Sequence, residues 1–414
     1  MKLLWLCNKM PGPVKEHLTG KPASGGLWVD HVLSDLRKEN ITMHILFPGN
    51  GERGDVDEKC SFASFTRGEP HEYRAEQVPF FAKELEQFRP DVIHIWGTEY
   101  AYTLAMVNAV EQAGLLDHCV ISIQGLCSIY AGHYAEGVPY TVQKASTFRD
   151  LVRRDNILQQ QRKFALRGEN EIAALKKVRH VIGRTDWDKA CTAQINPDTK
   201  YHFCNETLRE PFYEGSWQYE VCQKHRIFAS SCAYPVKGFH YLLEAFAEVV
   251  KYYPDATLAV PGKSFLNADK LRRTGYQKYL KDLADNGNVA DKIAFLGSLS
   301  AEEMKAQYLK ANVFALPSTI ENSPNSLGEA MLLGVPRVSA DVGGVTNLMT
   351  HNQEGLIYQS TAPYMLAHYI MQVFAMEEQA GAYGQKAHAH AAMTHNPERN
   401  LQTLLAIYRD LAME

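Results

Sequence analysis

The sequence contains no Cys-x-x-Cys pair and no cysteine–histidine spacing typical of a zinc site, although it has eight cysteines. Scattered cysteines favour reduced thiols, as found in the cytoplasm, over a disulfide framework or a structural metal. No stretch of about 18 consecutive apolar residues occurs, so no segment is predicted to span a membrane. We therefore expect a cytoplasmic protein without a metal site.

A strong charge of either sign is also missing, because the formal net charge is −4. A chain without a basic surplus gives no reason to expect nucleic acid as a partner. A local basic cluster is present at Arg153 and Arg154. A solvated helix face is the simpler interpretation of this pair, and peripheral contact with the inner face of a membrane is the alternative.

The dinucleotide fingerprint Gly-x-Gly-x-x-Gly is absent as well, which counts against an ordinary NAD dehydrogenase. Residues 260–264 superficially resemble a Walker A loop. Thr257 stands where that motif needs its first glycine, so we reject a nucleoside-triphosphate site there.

The composition that is present, 45% hydrophobic and 22% charged residues over 414 positions, is typical of a folded protein with two domains. Short apolar runs alternate with amphipathic segments in each half, which predicts parallel sheets with helical crossovers. The predicted fold class is α/β, with two Rossmann-like, doubly wound parallel-sheet domains facing a cleft. We predict a first domain over residues 1–210, a second over 211–396, and a final helix over 397–414 that packs back on the first.

Strands of the first half are predicted at residues 3–7, 41–47, 92–96 and 119–124. Residues 148–175 form a long charged segment that we predict to be helical, in one or two pieces. Residues 126–147 lack a clear period and are expected to form a loop.

Two carboxylates, Glu321 and Glu329, lie eight positions apart across a polar loop and a predicted helix start. That separation is too long for a surface pair at i and i+4. An apolar strand precedes the loop, and ligands of parallel sheets bind beyond this end of the strands. Carboxylates accept hydrogen bonds from sugar hydroxyls, and amide donors suit phosphate oxygens. An equally good interpretation of the spacing makes Asn325 or Ser326 a helix N-cap and Glu329 a first-turn acid.

The pattern Glu-x7-Glu, followed by Ala-Met, Gly-x-Pro and the segment Asp-Val-Gly-Gly-Val at 341–345, resembles retaining glycosyltransferases of family four. The resemblance implies the GT-B arrangement of two domains. It further implies that Glu329 holds the ribose hydroxyls of a nucleotide and that Glu321 reaches the transferred sugar. Further donor-binding residues implied in this loop are Asn322, Ser323, Asn325 and Ser326. Relatives often carry glycine in place of Pro324, whose missing N–H removes one donor.

Lys237 and Gly238 stand between a predicted strand and helix, and they resemble the family's Lys-Gly element. That element neutralises charge on the leaving nucleoside diphosphate, so Lys237 and Glu321 are the implied catalytic residues. The family usually adds an arginine five or six positions earlier, where this chain has Cys232 and Ser231. Three other arginines remain open as substitutes, namely Arg184, Arg209 and Arg337.

Two further stretches resemble donor-site elements of the family. Gly25 and Gly26, before the first helix, resemble the first-domain loop that closes over the donor diphosphate, although a flexible turn explains them equally simply. Leu296 and Gly297 resemble the strand end whose backbone pairs with the nucleotide base.

The acceptor side is less clearly marked. Many relatives place a histidine near the strand end where this chain has Gln124, which cannot titrate and can only orient a hydroxyl. Glu99, directly after a predicted strand, and His133, in the following loop, are the other two acceptor-side candidates.

The resemblance implies a retaining hexosyltransferase that needs no metal ion and no cofactor. Its substrates would be a nucleoside-diphosphate sugar and a glycan or lipid-linked acceptor, in polysaccharide or glycoconjugate synthesis at the cell surface. Two alternatives remain open: a nucleotide-sugar 2-epimerase of the same fold, and a nucleotide-sugar-binding protein with a degenerate catalytic site.

Overall fold

The computed structural model describes residues 1–20 and 28–414 of the chain. Strands and helices alternate through these residues. The strands are β1 (Lys2–Leu6), β2 (Thr42–Pro48), β3 (Arg53–Asp57), β4 (Cys60–Phe65), β5 (Val92–Trp96), β6 (Cys119–Ser122), β7 (His180–Gly183), β8 (Lys200–Phe203), β9 (Arg226–Phe228), β10 (Thr257–Val260), β11 (Ile293–Phe295), β12 (Val313–Leu316), β13 (Arg337–Asp341) and β14 (Leu356–Gln359).

The helices cover the faces of the sheets and form the crossovers between parallel strands. They are α1 (Gly12–Thr19), α2 (Trp28–Leu36), α3 (Gln77–Phe88), α4 (Tyr102–Gln112), α5 (Cys127–His133), α6 (Tyr140–Lys144), α7 (Phe148–Arg153), α8 (Ile157–Leu175), α9 (Asp186–Ile195), α10 (Phe239–Tyr252), α11 (Gly275–Asn286), α12 (Ala301–Lys310), α13 (Asn325–Leu332), α14 (Val345–Leu348), α15 (Pro363–Met376), α16 (Ala380–Thr394) and α17 (Pro397–Met413).

The chain forms two compact units. The first contains Met1–Ala131, Lys163–Arg209 and His395–Glu414, and the second contains Gly132–Arg162 and Glu210–Thr394. Each unit is built on one sheet with helical crossovers, so the predicted α/β class with two parallel-sheet domains is confirmed.

The sheet of the first unit has the order β3-β4-β2-β1-β5-β6-β7-β8, and all pairs except β3–β4 are parallel. Its central strands are apolar on both faces. Leu4 and Leu6 of β1 pack into one core cluster, whereas Leu3 and Trp5 pack into another. Burial of alternate residues on opposite faces explains why these strands are continuous apolar runs.

The sheet of the second unit has the order β11-β10-β9-β12-β13-β14, and its pairs are parallel throughout. Central β12 is fully buried and pairs with both β9 and β13. Loops that follow the carboxyl ends of β9, β12 and β13 therefore emerge at one edge of this sheet.

The final helix α17 belongs to the first unit. Tyr408 on this helix is fully buried, accepts a hydrogen bond from Trp5 Nε1 at 3.2 Å and hydrogen-bonds His94 Nδ1 at 2.5 Å. Burial lowers the pKa of His94 to about 3, so His94 is a neutral core residue.

Residues 132–162 correct the predicted domain boundary, because they belong to the second unit and not to the first. His240 of α10 bonds the Glu136 carbonyl at 3.0 Å, and Gly275 N donates to Asp150 Oδ2 at 2.7 Å. Residues 126–147, which were expected to form a loop, instead contain the helices α5 and α6.

Within residues 1–20 and 28–414, no helix is both long and apolar enough to cross a membrane.

Candidate functional site

The polar loop between β12 and α13 holds Glu321, which is 6% exposed. Its Oε1 accepts hydrogen bonds from Lys237 Nζ at 2.6 Å and from Ser318 Oγ at 2.8 Å. Lys237 comes from the short turn after β9, so the parallel sheet brings two distant motifs together at one edge. The sequence predicted both residues for the same site, and the structure joins them in an ion pair.

Two glycines allow the surrounding backbone to approach this loop. Gly238 has a φ of 61°, and a Cβ there would lie 1.8 Å from the Pro317 carbonyl oxygen. Gly343 has a φ of 52°, and its Cβ would lie 1.8 Å from the Glu321 carbonyl oxygen. Both positions therefore require glycine, for conformation and for space. Gly344 N also donates to the Glu321 carbonyl at 3.1 Å.

Helix α13 begins at Asn325, and its N-cap is Pro324, which makes no side-chain capping bond. The interpretation of Asn325 or Ser326 as the N-cap is therefore wrong. The first turn contains no acidic residue, so Glu329 lies beyond the position at which the helix dipole would favour it. Its side chain is nevertheless buried, at 4% exposure.

The neighbouring loop residues Asn322 and Ser323 are buried, at 1% and 9% exposure. Asn325 and Ser326 are half-buried at the start of α13. The N–H groups of Leu327 and Gly328 donate to the Pro324 carbonyl. These two N–H groups of the first turn are therefore already occupied within the protein.

The predicted base-recognition segment lies after β11. Leu296 N donates to the Val260 carbonyl at 3.0 Å, and Gly297 N exchanges hydrogen bonds with Gly262. Both N–H groups are thus occupied, and they cannot serve a nucleotide base while this pairing persists.

The three arginines considered as substitutes for the absent clamp residue have different surroundings. Arg337 is fully buried at the amino end of β13, away from the edge where the β12–α13 loop emerges, which excludes it. Arg184 belongs to the first unit, where its guanidinium pairs with Glu206 and donates to the Ile123 carbonyl at 3.2 Å. Arg209 is half-buried and is the last residue of the Lys163–Arg209 stretch of the first unit.

The acceptor-side candidates belong to different units. Glu99 and Gln124 border a concavity of about 380 Å³ in the first unit, with Asn8, Lys9, Trp96, Tyr100 and Arg167 among its other lining residues. His133 belongs to the second unit, which corrects its placement in the first domain. Its ring bonds Glu136 at 2.7 Å, and its carbonyl accepts from Thr319 Oγ1 at 3.0 Å, two positions from Glu321.

Glu99 is held at the edge of this concavity. Asn8 Nδ2 donates to its Oε2 at 3.3 Å, and Arg167 Nε donates to its backbone carbonyl at 2.5 Å. Burial, reinforced by the nearby Glu171 charge, raises the pKa of Glu99 to about 7. The carboxyl therefore changes charge near neutral pH. Gln124 donates to Glu206 at 2.6 Å and cannot titrate.

Glu171 is a residue that the sequence did not indicate, because it lies among other charged residues in the C-terminal part of the long helix α8. Its carboxylate is 1% exposed and accepts four hydrogen bonds, from Thr98 Oγ1 at 2.5 Å, Cys127 N at 3.0 Å, Ser128 N at 2.9 Å and Ser128 Oγ at 2.6 Å. Burial raises the pKa of Glu171. This carboxylate ties the loop that carries Glu99 to the start of α5.

Gly25 and Gly26 lie outside the described residues. In the part of the chain that is described, no three histidine, cysteine or acidic side chains are grouped so that they could hold a metal ion.

The chain has the GT-B fold of several solved structures. It matches sucrose-phosphate synthase from Thermosynechococcus elongatus with a TM-score of 0.72 at 15% identity, over 99% of each chain. It matches Anabaena HepE in complex with UDP-glucose with a TM-score of 0.67 at 18% identity, over 98% of this chain and 99% of the other.

Residues 222–390, within the second unit, match the family model described as Glycosyl transferases group 1. D-inositol 3-phosphate glycosyltransferase from Corynebacterium urealyticum is 29% identical over 42% of this chain and 41% of its own length. GDP-mannose-dependent alpha-(1-6)-phosphatidylinositol monomannoside mannosyltransferase from Mycobacterium tuberculosis is 25% identical over 40% of this chain and 43% of its own. The chain thus spans less than half the length of these curated relatives, and the family match lies within the second unit.

Proposed function

We propose that this protein is a retaining, metal-independent hexosyltransferase that uses a nucleoside-diphosphate sugar as donor. The observation that carries the proposal is the pairing of Lys237 with Glu321 at the carboxyl edge of the second sheet. This edge lies inside the segment that matches the glycosyltransferase model. A cation and a carboxylate at one position suit a donor whose diphosphate is anionic and whose sugar carries hydroxyls.

In the proposed donor complex, Glu329 accepts hydrogen bonds from the ribose hydroxyls, and Glu321 accepts from a hydroxyl of the transferred sugar. Asn322, Ser323, Asn325 and Ser326 supply polar groups to the sugar and the diphosphate. Lys237 turns toward the leaving diphosphate. Its Nζ carries three donors, so it can hold Glu321 and a phosphate oxygen at the same time.

Retention is proposed to occur by attack on the same face from which the diphosphate leaves. The bond from the anomeric carbon to the diphosphate oxygen breaks, and the acceptor hydroxyl oxygen bonds to that carbon. The departing phosphate oxygen takes the hydroxyl proton. This scheme uses no covalent nucleophile, and the Oε1 atom of Glu321 is already held by hydrogen bonds from Lys237 and Ser318.

The proposed acceptor is a glycan or lipid-linked molecule that binds in the first unit, at the concavity bordered by Glu99 and Gln124. Aromatic faces of Trp96 and Tyr100 and the polar ends of Glu99 and Arg167 suit a sugar, which has both apolar and hydroxylated surfaces. A cytoplasmic location and a role in polysaccharide or glycoconjugate synthesis remain part of this proposal.

A panel of UDP-, GDP- and ADP-sugars, scored by the shift in thermal unfolding, tests the donor assignment first. We expect at least one nucleotide sugar to raise the unfolding midpoint and to release its nucleoside diphosphate when an acceptor is added. Formation of a new sugar isomer without acceptor would indicate an epimerase. Stabilisation without any turnover across donor and acceptor pairs would indicate a binding protein.

A further inference from the structure

Helix α7 in the second unit presents an apolar stripe to solvent. Phe148, Leu151 and Val152 are 62%, 67% and 66% exposed, and they occupy positions i, i+3 and i+4, which share one helix face. Scattered exposed apolar residues are ordinary, but a contiguous exposed stripe marks an interaction surface.

A second chain segment extends the same surface. Leu271 is 62% exposed, and together with Phe148, Val152, Arg153 and Arg272 it borders a concavity of about 450 Å³. We name Phe148, Leu151, Val152, Arg153, Leu271 and Arg272 the α7 patch.

The two segments of the α7 patch are fastened to each other. Thr147 Oγ1 donates to the Arg273 carbonyl at 2.7 Å, and Gly275 N donates to Asp150 Oδ2 at 2.7 Å. Asp150 is buried and also closes the capping box of α7 with Thr147. These hydrogen bonds fix the backbone that carries the exposed apolar side chains, so the side chains remain at the surface.

The charge of the α7 patch is positive. Arg153 and Arg272 are exposed, and neither has an ion pair among the residues that the structure describes. Among the nearby acids, Asp150 and Asp155 pair with Arg149, and Asp269 Oδ1 accepts a hydrogen bond from Leu271 N at 2.9 Å. Arg154 and Lys270, adjacent in sequence to these arginines, are exposed as well.

We propose that the α7 patch docks this protein on an anionic lipid bilayer. Apolar side chains enter the boundary between headgroups and acyl chains, and the flanking arginines meet lipid phosphates. A second copy of the chain fits less well as the partner. A two-fold interface would bring the arginines of one α7 patch next to those of the other, and like charges repel. The inference is independent of the donor-site proposal, and it places membrane contact on the second unit.

Vesicle co-sedimentation of the full chain tests the proposal. The probes are vesicles of phosphatidylcholine alone and vesicles containing one-third phosphatidylglycerol. We expect binding to the anionic vesicles and at least tenfold weaker binding to the neutral ones. Arg153→Glu with Arg272→Glu should weaken binding at least 25-fold, since each basic residue near an anionic surface contributes about fivefold. Phe148→Ser with Leu151→Ser should weaken it about tenfold or more.

The controls are one charge reversal, Lys251→Glu, and one aromatic-to-serine change, Tyr252→Ser, at exposed positions of α10 in the same unit. They should bind as the unmodified protein does. Equal loss in the controls, or no difference between vesicle types, overturns the proposal. Another outcome is that the protein fails to bind vesicles and forms a concentration-dependent dimer that the patch variants abolish. That result would overturn the proposal and assign the α7 patch to contact with a second copy. Thermal stabilisation by nucleotide sugars should be unchanged in the patch variants, which separates this result from the donor-site proposal.

Discussion

The ammonium of Lys237 lies 2.6 Å from the Oε1 atom of Glu321, whose side chain is nearly buried. A cation that neutralises a buried carboxylate has a structural role, because loss of either partner leaves the other uncompensated. The sequence pattern assigned the two residues to different parts of a donor, whereas the structure couples them directly.

This coupling predicts a non-additive pair of substitutions. Lys237→Ala and Glu321→Ala should each destabilise the protein by about 1–3 kcal/mol, and the double variant should lose less than the sum by at least about 1 kcal/mol. Chemical denaturation of the four proteins measures the coupling. Additive losses would mean that the ion pair contributes nothing to stability.

Lys237 should also affect the chemical step more than donor binding. Charge on the diphosphate grows as the sugar bond breaks, so Lys237→Ala is expected to lower kcat about 100-fold or more, with nucleotide affinity changed less than tenfold. Steady-state kinetics and calorimetry provide the two numbers. The exposed Lys251→Ala is the control, and an equal effect on both parameters would assign Lys237 to ground-state binding.

Gly343→Ala should displace the Glu321 loop. The alanine would have to adopt a φ of 52°, and its Cβ would lie 1.8 Å from the Glu321 carbonyl oxygen. We therefore expect the free energy of unfolding to fall by at least about 3 kcal/mol and nucleotide binding to weaken. Gly114→Ala is the matched control, because it has a φ of 71° with no atom within 4 Å of the Cβ. Its free energy of unfolding should fall by only about 1 kcal/mol, which is the cost of the backbone conformation alone. Equal losses would show that the close contact has no energetic consequence.

Glu99 should make stability depend on pH. Its pKa is raised to about 7, whereas an unfolded glutamate titrates near its ordinary value of 4.5, so the unfolded state loses its proton first as pH rises. Stability contributed by the protonated carboxyl is therefore lost between about pH 4.5 and 7. Glu99→Gln should gain about 1–3 kcal/mol relative to the parent between pH 5 and 8. The exposed Glu86→Gln is the control, and a constant difference for Glu99→Gln across this range would contradict the shifted pKa.

Glu171 should affect acceptor binding only by positioning the loop that carries Glu99. Glu171→Ala leaves Cys127 N and Ser128 N without their acceptor, with an expected cost of about 2–4 kcal/mol. Because the carboxylate also holds the Glu99 loop through Thr98, we expect the acceptor KM to rise several-fold, while nucleotide affinity is unchanged. Initial-rate kinetics with both substrates varied distinguish these effects, and an equal change in donor KM would argue against a positioning role.

The sequence was informative where a period or a motif reports on local structure. The strand at Val92–Trp96 was predicted with its observed bounds. The charged stretch 148–175 was predicted to be helical in one or two pieces, and it forms the two helices α7 and α8. The β3–β4 pair was not predicted, because Arg53–Asp57 has an exposed, alternating pattern without an apolar run.

The parts of the site that could not be predicted depend on tertiary contact. Nothing local shows that residues 132–162 leave the first unit, since that depends on His240 and Asp150 meeting distant backbone groups. Glu171 looks like any surface acid of a charged helix until its four donors are known. Conversely, Lys237 and Gly343 were recognisable because their motifs require a cation and a glycine at fixed positions.

The central claim is that Glu329 binds the nucleotide of a sugar donor. Calorimetric titration of the nucleoside diphosphate that stabilises the parent protein, into Glu329→Ala, tests it most directly. Glu302→Ala, an exposed acid of α12 in the same unit, is the matched control. We predict at least about a 30-fold loss of affinity in Glu329→Ala with a retained folded structure, and no loss in the control. Unchanged affinity in Glu329→Ala would contradict the proposed donor site.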